Sequence, residues 1–327
     1  MSQTTTATAP LVTGTFAGLS TRLDDERRAG RTVGVVLTMG ALHEGHASLI
    51  GRAAAACDVV AVSVFVNPTQ FADPSDLTNY PRTLDADVAL AAAAGAHVVF
   101  APPVNEVYPE WPTPPATTVT VRALVDRWEG VARPGHFDGV ATVVTKLLSA
   151  AGRCRTYFGE KDFQQLAVVR RVARDLSLPV EVVGCPTVRE HDGLAMSSRN
   201  VRLSPVERTA AVSLSRALGT GADALAAGAG TAGVEAAMAA VVAEEPLVDL
   251  DYAVLVDAAE LEPADAAAPG PLRLLIAARV GQVRLIDNLD PRASRGRRLP
   301  RPPGRSTSAS SAAGWPDCRP PSAWQRH

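Results

Sequence analysis

Lysine is almost missing from this chain: Lys146 and Lys161 stand against thirty arginines in 327 residues. Where the background favours arginine, a retained ammonium becomes a candidate for a role that needs a compact point charge. Lys146 is the control on that inference. Cysteine is sparse too, and Cys57, Cys154, Cys185 and Cys318 form no C-x-x-C pair. Neither a zinc site nor a disulfide framework is expected, and a reducing compartment fits. Long apolar runs are also absent. The strongest strand-like run, 59–66, is far too short for a bilayer, and the alanine-rich stretch 86–101 is interrupted by Asp87 and by Gly95-Ala96-His97. The opening MSQTTTATAP lacks the basic-then-apolar order of a signal peptide. The expectation is a cytoplasmic protein with no membrane partner.

The length allows two domains with a core each, and 46% hydrophobic with 20% charged residues is globular composition. The formal net charge of −2 hides an asymmetry, because residues 291–327 hold eight arginines and one aspartate, about +7, leaving about −9 on the rest. An acidic body argues against nucleic acid as the main partner.

Strand-like β-branched runs alternate with Ala/Leu-rich helical ones, as in βαβ units on a parallel sheet. Strands are expected at 33–38, 59–66, 97–100, 156–158 and 180–183, with helices at 45–56, 84–94, 139–151 and 163–176. The pattern changes near 187. A polar loop, REHDGLAMSSRN, leads into a helical stretch at 205–225 and an Ala/Gly-rich segment. Three short strands at 252–257, 272–278 and 282–286 then suit a small antiparallel sheet. The expected division is 1–187, a smaller α+β domain at 188–289, and a disordered Arg/Pro/Ser-rich tail at 290–327 that cannot build a core.

Residues 38–50 read TMGALHEGHASLI: a turn at Gly40 between a strand and a helix start, with two histidines three apart. Such a helix N-terminus presents free backbone N–H groups and the positive end of its dipole. His43 and His46 would be neighbours on the first turn. They can be surface residues at a helix cap, phosphate donors or metal ligands. The last reading suffers from spacing, since a zincin helix uses H-E-x-x-H. GEKDF again runs from a strand into a helix start and places Lys161 where a phosphate would sit. The loop MSSRN offers two hydroxyls and a guanidinium, a group set that suits phosphates but is also ordinary loop composition. NPTQF follows the most apolar strand and puts Gln70, both donor and acceptor, at a carboxyl end, where open α/β sheets bind ligands.

Together TMGALHEGH (38–46), SVFVNPTQF (63–71), YPRT (80–83), GEKDFQQL (159–166) and MSSRN (196–200) resemble the pantothenate synthetase family, in the family's order. One departure is Leu37, where the family usually has proline. The resemblance implies a Rossmann-like doubly wound parallel sheet with a smaller lid domain, ATP as substrate with Mg²⁺, and a homodimer. It implies condensation of pantoate with β-alanine through an acyl adenylate. His43, His46, Lys161, Ser197, Ser198 and Arg199 would then act on the triphosphate. Met39, Gly40, Gly159, Asp162, Val188 and Met196 would complete the nucleotide site, with Asp162 both at a helix N-cap and on the ribose. Gln70 and Gln165 would hold the pantoate hydroxyl and carboxylate, and Asn67, Tyr80 and Arg133 would lie in the pantoate and β-alanine region. Asp85 and Asp87 are the candidate Mg²⁺ ligands, although acids at a helix start are common for dipole reasons alone. Two other readings are another adenylyl-transfer enzyme on the same scaffold and a nucleotide-binding protein without catalysis.

Overall fold

The computed structural model describes residues 9–71 and 77–292. Six strands, Leu11–Thr13 (β1), Val33–Thr38 (β2), Val59–Val64 (β3), Val98–Phe100 (β4), Cys154–Gly159 (β5) and Val180–Cys185 (β6), form one sheet in the order β1-β4-β3-β2-β5-β6. Every pairing in it is parallel. Such a sheet is covered on both faces, and each strand divides its side chains between two cores. Val33, Val35, Val59, Ala61, Val98 and Phe100 pack under Phe16–Arg28 (α1) and two later helices, His136–Ala151 and Phe163–Asp175. Val36, Val60, Val62 and Val99 pack under Glu44–Ala56 (α2) and Leu84–Ala93 (α3). That double burial is why β2, β3 and β4 read as unbroken apolar runs.

Helix α2 carries the chain from β2 to β3 on one side, while Phe163–Asp175 (α5, following α4 at His136–Ala151) carries it from β5 to β6 on the other. Since β2 pairs directly with β5, Val35 against Thr156, the loops leaving these two strands diverge. A crevice opens at their carboxyl ends, the topological switch point where doubly wound folds bind ligands.

The remaining residues form Pro205–Ala211 (α6), Ser213–Ala226 (α7), Thr231–Ala243 (α8) and an antiparallel sheet of Val248–Asp257 (β7), Leu272–Val280 (β8) and Val283–Leu289 (β9), in the order β7-β8-β9. One face of that sheet, with Leu255, Leu274 and Ile276, lies under Leu214, Leu218 and Met238 of α7 and α8. Its other face, with Val256 and Leu275, joins the core of the parallel-sheet unit. β8 is therefore buried along nearly its whole length.

Several expectations shift. β3 stops at Val64, two residues early, because Phe65 and Val66 turn toward a 3₁₀ turn at Pro68–Gln70. β1 and α1 carry little sequence signal: β1 is a three-residue edge strand, and α1 buries only Leu19, Leu23 and Glu26. α8 lies in the Ala/Gly-rich segment, where uniform alanine hides the helical period. The expected disordered tail lies outside the described residues from 293 onward.

Helix α4 comes so close to the Pro68–Gln70 turn that a Cβ on Gly139 would lie 2.8 Å from the Gln70 Cα, with only backbone to yield. Gly139→Ala should destabilise the fold by about 1–3 kcal/mol, read as a lower urea midpoint with an unchanged slope. A neutral outcome would mean the turn is not held against this helix.

Candidate active site

The loop leaving β2 is held by one carboxylate. Asp87 of α3, 2% exposed, accepts from the backbone N–H of Ala41 (3.1 Å) and of Leu42 (2.7 Å). Thr83 adds its hydroxyl at 3.3 Å. Gly40 has φ of 87°, and a Cβ there would stand 3.0 Å from the Asp87 carboxylate, so the turn requires glycine. The expectation that Asp87 binds Mg²⁺ gives way, because both its oxygens already serve the loop and it is buried. Asp85, two residues earlier, points to solvent.

The two histidines cap α2 reciprocally. His43 is the N-cap residue, and its Nδ1 accepts from Gly45 N–H at 3.1 Å. The Nδ1 of His46 accepts from the His43 backbone N–H at 3.3 Å, and the two rings lie 4.1 Å apart. An Nδ1 that accepts must carry no hydrogen, which puts the proton of each neutral ring on Nε2 as an outward donor. Burial, and then the Lys161 charge, lower the pKa of His43; burial and then His43 push His46 down to about 4. At neutral pH the pair consists of uncharged N–H donors.

The loop leaving β5 supplies the cation. Lys161 Nζ lies 3.4 Å from Asp162 Oδ1 with 17% of its side chain exposed. Burial would raise the Asp162 carboxyl, but Lys161, Arg199 and Arg133 together hold it below its ordinary value. Asp162 occupies the N-cap position of α5, yet its side chain makes no cap bond; it turns to Lys161 instead, which corrects the expected capping role. The Cβ direction of Gly159 faces open space.

The Ser-Ser-Arg loop closes the third side. Met196 donates its backbone N–H to the Val188 carbonyl at 2.9 Å, so the segment forms the end of a small hairpin with Arg189 bridged to Ala195. Arg189 pairs through both guanidinium nitrogens with buried Asp287 of β9, at 2.6 and 3.1 Å. The Met196 sulfur reaches Gly45 N–H at 3.1 Å, joining this loop to the histidine cap. Ser197 caps the 3₁₀ turn that Ser198 begins, and Arg199 lies near enough to act on Tyr80, Arg133 and Asp162.

Beside these donors lies a pocket of amides. Gln70 rests its Nε2 on the Met39 sulfur at 2.6 Å, a poor acceptor that leaves the donor ready for a better one. Asn67 is 1% exposed and fully engaged. Its Nδ2 reaches Gln70 Oε1 and the Gly139 carbonyl, both at 3.1 Å, while Tyr108 and Thr69 donate to its Oδ1. Asn67, expected to meet substrate, positions Gln70 instead. The QQ pair divides likewise. Gln164 bonds the backbones of Leu124, Arg127 and Glu129, whereas the side chain of Gln165 makes no hydrogen bond among the described residues. Tyr80 packs edge-on against Phe71, and burial raises its phenol against the pull of Arg199.

Arg133 is held by His136, three residues on in the Arg133-Pro134-Gly135-His136-Phe137 segment, where a histidine more often serves structure than catalysis. His136, 6% exposed, bonds the Gln70 carbonyl through Nδ1 and Arg133 through Nε2, both at 3.0 Å. A carbonyl only accepts and a guanidinium only donates, so the ring carries its proton on Nδ1. Burial, and then the Arg133 charge, push it down to about 4. Arg133 forms no salt bridge among the described residues, and burial followed by Arg199 lowers its pKa. The arrangement presents a cation to an anionic ligand.

The profile of the pantoate–β-alanine ligase family matches residues 12–290. The chain belongs to that family. It is 53% identical over 267 residues to the pantothenate synthetase of Rubrobacter xylanophilus, covering 80% of this chain and 92% of that one. With the pantothenate synthetase of Cereibacter sphaeroides it shares 50% over 285 residues, covering 86% and 99%. The crystal structure of the Thermus thermophilus pantothenate synthetase superposes with a TM-score of 0.79 at 46% identity, covering 86% and 99%. A Francisella tularensis pantoate–β-alanine ligase, solved with a β,γ-ATP ligand and β-alanine, gives 0.70 at 30%, covering 87% and 98%.

Two outcomes follow from this ligase site. His46 and His136 have folded pKa values of about 4, below the ordinary 6.5, so the unfolded chain binds protons that the native one refuses. Stability should be intact above pH 6.5 and fall as the pH drops toward 4. Between pH 7 and 5 each histidine should contribute about 1–2 kcal/mol of that loss. Urea titrations across the window should show a shallower pH slope for His136→Gln; an unaltered slope would refute the assignment. Asp87→Asn removes a charge-assisted acceptor of two amides, with each bond contributing about 1.5–3 kcal/mol. It should lower Tm and kcat/KM while leaving the Mg²⁺ concentration for half-maximal rate unchanged. A large shift in that concentration would restore Asp87 as a metal ligand.

Proposed function

We propose that this chain joins pantoate to β-alanine at the expense of ATP, through a pantoyl adenylate, with AMP and pyrophosphate as co-products. The observation that carries the reading is a juxtaposition at the β2/β5 switch point. Two neutral imidazole donors, Lys161 and the Arg199 loop stand beside Gln70 and Arg133, and Gln165 lies in the first turn of the helix that the Lys161 turn leads into. One half suits a triphosphate; the other suits a small hydroxy acid and a second carboxylate.

A pantoate carboxylate oxygen attacks the α-phosphorus, and the bond to the bridging oxygen breaks as pyrophosphate leaves. The Nε2–H groups of His43 and His46, with Lys161, Ser197, Ser198 and Arg199, meet the negative charge that grows on the departing oxygens. Gln70 and Gln165 orient the acid by its hydroxyl and carboxylate. In the second step the uncharged amine of β-alanine attacks the activated carbonyl, AMP leaves, and the proton departs from nitrogen. Arg133 faces the β-alanine carboxylate, and Tyr80 closes this side. Met39, Gly40, Gly159, Val188 and Met196 offer backbone and apolar surface to the nucleotide, with Asp162 on its ribose.

Mg²⁺ enters as part of the substrate, held by phosphate oxygens and water as its coordination preference allows. Among the described residues no group of three or more His, Cys, Asp or Glu side chains could hold a metal. The homodimer rests on the family resemblance and the cytoplasmic location on the scattered cysteines, which fit a reducing compartment; among the described residues no helix is long and apolar enough to cross a membrane.

The test is isotope exchange between pyrophosphate and ATP. Exchange should require pantoate and proceed without β-alanine. A requirement for β-alanine would remove the adenylate from the pathway.

A further inference from the structure

We propose that Asn288 and Arg273, two residues of the C-terminal sheet, position Lys161 for pyrophosphate departure. The proposal rests on the ligase reading above. Asn288 is 3% exposed, and its Nδ2 donates one hydrogen to the carbonyl of Glu160 and the other to that of Lys161, both at 2.8 Å. The amide has only one orientation that works, because two carbonyls demand its NH₂ end. Its Oδ1 accepts from Arg273 Nε at 2.8 Å, which fixes that orientation. Arg273, 7% exposed, donates from its other arm to Glu160 Oε2 at 2.9 Å and stacks 4.2 Å over the Phe163 ring. Every polar atom of the Asn288 side chain is therefore engaged, and all of it serves the turn that carries Lys161.

The turn needs outside support. Glu160–Asp162 is a 3₁₀ turn between β5 and α5; it starts at Gly159, which has no side chain to cap it, and Asp162 at its end does not cap α5. The successive carbonyls of Glu160 and Lys161 both point toward the C-terminal sheet. Binding both to a single buried amide fixes the peptide plane between them. The path along which the Lys161 side chain leaves the backbone is then fixed as well. A buried polar network of this kind costs desolvation and returns geometry. Strand alternation sends the residues of β8 the right way. Arg273 shares its strand face with Leu275, which packs on the parallel-sheet unit, while Leu274 faces the helices. Neither Asn288 nor Arg273 touches the reacting atoms; both act through Lys161.

A double-mutant cycle with a turnover readout tests this. Lys161→Ala should lower kcat for pyrophosphate–ATP exchange at least tenfold, and Asn288→Ala should lower it about tenfold. KM for pantoate should stay within about twofold in both. The decisive outcome is the double variant, which should be no slower than Lys161→Ala, because Asn288 has nothing left to position. Multiplying losses would overturn the proposal and leave the ligase reading intact. A Lys161→Ala enzyme within tenfold of the parent would instead sink the Lys161 assignment, and the proposal with it. Should Asn288→Ala fail to fold, Arg273→Met keeps the contact with Phe163 while releasing the Asn288 amide. It should show the same dependence on Lys161, and full activity in that variant would equally overturn the idea.

Discussion

The direct parallel pairing of β2 with β5 is the constraint on which the rest of the molecule depends. Were another strand between them, the two phosphate-side loops would be about 5 Å further apart, and the histidine cap would no longer face Lys161. Because helices leave the two strands toward opposite faces, the loops above that pair diverge. Each loop then ends at a helix start, so two helix N-termini turn the positive ends of their dipoles toward the same crevice. Side-chain chemistry is added to a site whose anion preference the backbone has already set.

Most of the proposed phosphate donors at this crevice carry no charge of their own. His43 and His46 are neutral because burial makes the imidazolium costly, with the Lys161 charge adding to it at His43 and His43 adding to it at His46. Neutral donors suit a group whose charge moves during the reaction. They stay oriented without a bound anion, since the backbone amides of His43 and Gly45 hold each ring by Nδ1. Three full cations at this distance would repel one another and need carboxylates to hold them. The actual cations, Lys161, Arg133 and Arg199, all act on a single carboxylate, Asp162, and only Lys161 contacts it directly among the described residues.

The motif-bearing loops were legible because each follows a strongly apolar strand and begins a helix with a clear period. β2, α2, α3, α5 and β6 lie within a few residues of their expected bounds for that reason. Roles inside the motifs were less legible. Gln164 and Gln165 are the same residue type side by side, and only the helical turn decides that one knits the backbone while the other makes no such bond. Asp87 looks like a metal ligand or a dipole partner in sequence, since nothing local shows that a loop forty-five residues earlier uses both its oxygens. The same limit hides the partner of His136, legible as a structural histidine but with its ring defined by Gln70 sixty-six residues away. Long-range hydrogen bonds have no sequence period, whereas burial does.

The C-terminal sheet therefore has to be seen as part of the active site and not only as its cover. It holds the parallel-sheet unit at two places. Asn288 and Arg273 take the turn of Lys161, while Arg284 and Tyr252 take the carboxylate of Glu129, four residues before Arg133. Trp128 adds a third bond to the Leu261 carbonyl and stacks near Tyr252. The first grip borders the phosphate side and the second the acid side. A sheet that moved as a rigid cover would break several buried, charge-assisted bonds at once, each contributing about 1.5–3 kcal/mol. Motion that admits substrate is far less costly in the 3₁₀ turn just after Ser197, where Ser198 and Arg199 are exposed. The hairpin that leads into this turn stays fixed by Arg189 on Asp287. Rigidity behind the turn with freedom at its exposed side chains would let one loop both admit a nucleotide and reach its phosphates in the proposed reaction.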